Sequence, residues 1–196
     1  MDILTLLGWL QQTGLAVQIR DSLFLFPLLE SAHVIGLALV FGTIAIVDLR
    51  LFGVASTNRP FRRLAADTLK WTWAAFALTA VTGGLMFITN AAVYYGNSYF
   101  RAKMVLLVLA ALNVLAFELT AGRTVEQWDQ APAAPPVGRA IAVLSLFVWV
   151  GVIVTGRMIG FTVTRAAAAE SAPVETNFED LLGLPAPSGD APTPQP

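Results

Sequence analysis

FPLLESAHVIGLALVFGTIAIVDLRLFG, residues 26–53, decides the fold. It is almost uninterrupted apolar sequence, and about 20 such residues of helix cross the hydrocarbon core of a bilayer. Two polar residues stand inside it, Glu30 and His33, and His33 is the only histidine of the chain. Their spacing of three puts both on one face of a helix.

Three more segments have this character, so the spans are expected at about 23–51, 72–90, 102–119 and 140–162. None shows the alternation of a strand, and a helix satisfies its own backbone polar groups in lipid. The fold class is therefore all-α, a polytopic membrane protein with a four-transmembrane-helix bundle. Composition agrees: 56% of the 196 residues are hydrophobic and only 13% charged, against roughly a quarter charged in soluble domains. A net charge of −1 offers no basic patch for nucleic acid. The lack of cysteine excludes disulfides, thiolate metal sites, iron–sulfur clusters and Cys-linked haem.

Residues 1–22 interleave Ile3, Leu7, Leu10 and Leu15 with Gln11, Gln12 and Thr13, and no basic residue precedes them. This is a poor signal peptide and predicts an amphipathic helix lying in the membrane interface. Residues 163–196 form an acidic, Ala/Pro-rich tail expected to be disordered. Within it the island NFEDLLGL spaces Phe178, Leu181 and Leu182 as a helix would. The loops after spans one and three carry seven basic residues (Arg50, Arg59, Arg62, Arg63, Lys70, Arg123, Arg139) against four on the other side (Arg20, Arg101, Lys103, Arg165). The positive-inside rule then places both termini outside, in the periplasm of an inner membrane.

With that orientation the intramembrane polar residues divide by depth. Glu30, His33, Asn113 and Arg157 fall in the outer half; Asp48, Arg50 and Glu118 belong to the inner end. Charges at membrane depth face the bundle interior and have partners. The simplest reading pairs Glu30 with Arg157 across helices, with His33 hydrogen-bonded beside them. A second makes His33 an axial ligand of haem b, or of a metal, with Glu30 in support; a single histidine would then need a second protomer or another ligand. A third is a path for a proton or metal ion. Enzyme templates are absent: there is no Gly-x-Ser-x-Gly, phosphate-binding loop, His-Glu-x-x-His or dinucleotide fingerprint.

Small residues recur at the spacing that brings membrane helices together: Ala32 with Gly36, Gly83 beside Gly84, and Gly156 with Gly160. They suit packing inside the bundle, or a homodimer. Trp71, Trp73, Trp128 and Trp149 stand near helix ends as interfacial anchors would, and Tyr94, Tyr95, Tyr99 and Phe100 form an aromatic belt.

The stretches ESAHVIGLALVFGTIAIVDLRLFG, WTWAAFALTAVTGGLMFITNA, FRAKMVLLVLAALN and SLFVWVGVIVTGRMIG resemble successive helices of an uncharacterised bacterial inner-membrane family, a domain of unknown function with four spans. The likeness covers about residues 5–162. Its most specific parts are Glu30-x-x-His33 with Gly36, Asp48-Leu49-Arg50, and Gly156-Arg157. It implies the topology and no established activity. In that family a second histidine is expected near the end of helix three, where this chain has Glu118. The layout is also loosely similar to small cytochrome-b-like and copper-resistance-type membrane proteins. The expectation is a non-catalytic component of a larger membrane system, partnered by the bilayer and by other membrane subunits. A b-type haem electron carrier ligated by His33 and a transporter accessory are the alternatives.

Overall fold

The computed structural model describes residues 2–170, with side chains through Arg165. Among the described residues every element is a helix: α1 (Ile3–Gln11), α2 (Gly14–Asp21), α3 (Leu25–Phe52), α4 (Phe61–Thr89), α5 (Ala91–Gly96), α6 (Ser98–Leu119), a 3-10 turn (Ala121–Thr124), α7 (Val125–Trp128) and α8 (Pro136–Glu170). One compact unit extends to Gly160, and a second begins at Phe161. The four candidate spans are Leu25–Phe52, Phe61–Thr89, Ser98–Trp128 and Pro136–Arg165.

Three of the four spans are longer than the apolar runs that announce them. α4 starts at Phe61, directly after Pro60, whose fixed φ suits the entry to a helix. Its first turns carry Arg62, Arg63, Asp67 and Lys70 on an exposed face, which depresses hydropathy, yet Phe61 and Leu64 are buried. α6 begins at Ser98 because the Asn97 side chain accepts from the N–H groups of Tyr99 and Phe100, capping the first turn. α8 continues to Glu170 instead of stopping near residue 162. The sequence Ala166–Ala169 is the best helix-forming composition there is. The NFEDLLGL island lies outside the described residues. The expected N-terminal helix is two helices, α1 and α2, with Thr13 between them donating to the Leu10 carbonyl at 2.8 Å.

α3 and α4 pack against each other along an extensive seam. They come close at Gly36, where a Cβ would stand 2.5 Å from Thr79 Oγ1. The bundle core is a belt of Val40, Ala75, Ala110, Val148, Trp149 and Val152. Around it, Val105, Val108, Leu112 and Leu115 of α6, with Phe147 and Val154 of α8, stay exposed. An exposed apolar face of this extent suits lipid, not water. Trp71 and Trp73 are exposed as anchors should be, but Trp149 belongs to the core. Trp128 is buried too: its Nε1 donates to the Ala121 carbonyl and its ring packs on Phe61.

One end of the bundle is locked by Arg50, which is fully buried. Its guanidinium donates to four backbone carbonyls, those of Arg59 (3.0 Å), Asp129 (3.3 Å), Ala131 (2.9 Å) and Pro132 (3.3 Å). Further bonds join the same loops: Phe61 N–H to Asp129 O, Arg62 N–H to Asp129 Oδ1, and Ala134 N–H to Leu51 O. Gly53 ends α3 with φ of 89°, a left-handed conformation that favours glycine. A Cβ there would also stand 2.7 Å from the Ala133 methyl.

Hydrogen bonds from a charged donor contribute about 1.5–3 kcal/mol each. Arg50→Met should therefore lower stability by about 3 kcal/mol or more, read as an earlier thermal unfolding transition in detergent. Arg50→Lys should recover only part of this, since an ammonium lacks the planar fork. An unshifted transition in Arg50→Met would show that the loops hold without it.

Candidate functional site

At the opposite end of α3 a second polar region is assembled from all four spanning helices. His33 faces α4, where its Nδ1 lies 3.1 Å from Thr82 Oγ1. Thr82 already gives its hydroxyl proton to the Leu78 carbonyl at 2.8 Å. An Nδ1–H that donates to Thr82 fits this arrangement and is the tautomer we assign, which leaves Nε2 with its lone pair. The ring needs room, and Gly83 provides it: a Cβ at that position would stand 2.8 Å from His33 Cε1. Gly84, the next residue, faces open space.

α6 contributes Lys103, whose ammonium lies close enough to His33 to act electrostatically on its ring. Lys103 is half-buried, and among the described residues no carboxylate pairs with it. α8 completes the layer with Gly156, whose missing side chain leaves space beside the ammonium: a Cβ there would be 3.7 Å from Lys103 Nζ. Hydropathy and charge counting treat Lys103 as a loop cation, and Thr82 matches no motif. Neither could be found without knowing which way α6 and α4 turn.

Toward the near end of the bundle, Glu30 is exposed on α3 and interacts electrostatically with Tyr94 of α5. Burial, and after it the Glu30 carboxylate, push the Tyr94 hydroxyl above its usual range. Tyr94 packs with Phe87 and Phe100, whose rings stack at 5.3 Å. α1 and α2 close over this end, with Arg20 reaching the Thr89 carbonyl at 3.5 Å. Arg157 is exposed on α8, one residue beyond Gly156.

The residues expected at the inner end are deployed differently from a set of ion pairs. Arg50 bonds to loop carbonyls, not to Asp48. Asp48 is buried and meets the Ser145 hydroxyl of α8. Asn113, grouped with His33 by depth, instead donates to the Ile141 carbonyl of α8, one turn from Ser145. Glu118 is exposed near Gly122. Among the residues described, no group of three or more histidine and acidic side chains could hold a metal ion.

The fold and these buried polar groups define a multi-pass, all-helical membrane protein. The chain belongs to a family of unknown function, DUF6644, which it matches over residues 22–162. No curated protein and no solved structure matches it.

The clearance at Gly83 gives a direct check on His33. Gly83→Ala should displace the ring from Thr82 and raise the reactivity of this single histidine toward diethyl pyrocarbonate, whereas Gly84→Ala should leave it unchanged. Equal reactivity in the two variants would mean that Gly83 does not position the ring.

Proposed function

We propose that this chain is a non-catalytic subunit of a larger membrane system and that the His33–Lys103 layer is its binding centre. The observation that carries this reading is the convergence of all four spans on one layer, where two glycines make room for two polar side chains. Polar residues inside a bundle are costly and are kept for a purpose. An imidazole lone pair beside an ammonium suits an acidic group, from a small ligand or from a partner helix, which could donate to Nε2 and be attracted by Lys103. Expected results are a colourless purified protein and loss of the co-purifying partner or ligand in both His33→Ala and Lys103→Met.

One feature favours a second reading, haem b ligated by His33. A ligating histidine usually has its other ring nitrogen tied to a neighbour, as Nδ1 is tied to Thr82 here. Visible spectra of the oxidised and dithionite-reduced protein separate the two: a Soret band lost in His33→Ala establishes haem and displaces the first reading.

The orientation we propose places both termini outside and the Arg50 lock in the cytoplasm, following the basic residues of the loops. The chain has no cysteine of its own, so single cysteines report cleanly. A membrane-impermeant maleimide added to intact cells should label Ser98→Cys and spare Arg63→Cys. The reverse pattern would invert the topology.

A further inference from the structure

Asp48 is the one buried aspartate among the described residues, with 6% of its surface exposed. Its carboxyl meets the Ser145 hydroxyl, and its Oδ2 has no hydrogen-bond partner. A second orphan acceptor belongs to Asn113 of α6, which meets α8 one turn from Ser145. Asn113 Nδ2 donates to the Ile141 carbonyl at 3.2 Å, while Asn113 Oδ1 is buried with nothing to accept from. Exchanging the ends of that amide does not help, because it would set Oδ1 against the Ile141 carbonyl. Asn113 and Ser145 are each 7% exposed, so water does not reach the group freely.

Among the described residues no cation pairs with this carboxyl. On α3 the nearest charge is Arg50, committed to loop carbonyls. The charged side chains of the helices around it, Arg62, Arg63, Asp67 and Lys70 of α4, Glu118 of α6 and Arg139 of α8, are all exposed. An ionised carboxyl there would be buried without a partner, and a hydrogen shared by the two acceptors, whose side chains meet α8 one turn apart, would satisfy both.

We propose that Asp48 is a proton-binding site: its carboxyl is the neutral acid, Oδ2–H is the donor this turn of α8 lacks, and Asn113 Oδ1 is the acceptor left open for it. Ser145 then donates to Oδ1 of the same carboxyl, and every polar atom of the group is satisfied. The site lies about fifteen residues along α3 from His33, or roughly 22 Å at 1.5 Å per residue, and does not depend on the reading of the His33 layer. Deprotonation would place an anion between α3, α6 and α8 with nothing to pair it, so the packing of those helices is tied to the proton.

Infrared spectroscopy of the full-length protein, purified in sodium-free buffer at neutral pH, tests this. With carbon-13-labelled aspartate, the expected result is a protonated-carboxyl carbonyl band that shifts with the label and is missing from Asp48→Asn. The asparagine variant should melt within a few degrees of the parent, because its amide can donate to Asn113 as the acid does; Asp48→Leu should melt well below both. Should either variant fail to fold, the isotope shift in the parent still decides. Carboxylate bands alone in the parent would overturn the proposal. So would loss of the acid band on adding sodium chloride, since the oxygens of Asp48, Asn113 and Ser145 would then be holding a metal cation.

Discussion

A guanidinium buried among backbone carbonyls is the constraint on which the bundle depends. Arg50 stands at the end of α3, and the four carbonyls around it come from the two loops at that end. The carbonyls of Asp129, Ala131 and Pro132 lie outside any helix and take donors from elsewhere. Arg50 reaches all three from a single planar group, beside the Phe61 N–H that also serves Asp129, and their dipoles in turn surround its charge. The loop after α3 and the loop before α8 are thereby tied to one side chain. With both ends fixed, α3 and α8 hold one register, and that register sets Asp48 opposite Ser145. Because a helix is stiff along its axis, the same register carries to the far end, where His33 meets Thr82 and Gly83.

Hydropathy is enough to show four spans, since nothing else produces apolar runs of that length in a chain with so few charges. Their ends are another matter. Phe61 and Leu64 are buried beneath a charged face, so the start of α4 is amphipathic and invisible to a window average. Trp128 and Trp149 show a related limit: position near a helix end suggests an interfacial anchor, but only the packing of neighbours decides whether an indole faces lipid or the core. His33 stands out from the sequence as a lone histidine in an apolar run. Thr82 and Lys103 do not, because threonine is common in membrane helices and a lysine near a helix start is ordinarily solvated. Depth along the helix was also a poor guide to partners. Asn113 meets α8 through a carbonyl of its first two turns, a pairing set by helix tilt and rotation.

The two buried polar groups are separated by the belt of Val40, Ala75, Ala110, Val148, Trp149 and Val152. Within that stretch, among the described residues, Thr72 of α4 donates to Thr43 of α3 at 2.9 Å, and each of those hydroxyls also bonds to its own helix. Hydroxyls turned back on their helices are locally satisfied, so they do not form a relay from Asp48 to His33. An influence of one end on the other must therefore travel through the packing of rigid helices, by a shift of α3 against α4 where Gly36 meets Thr79. No Cβ fits there, so a rotation of α3 at Gly36 would press on the α4 face that meets His33 through Thr82 and Gly83. Helix packing is thus the physical link between the seat of α3 at Arg50 and the imidazole.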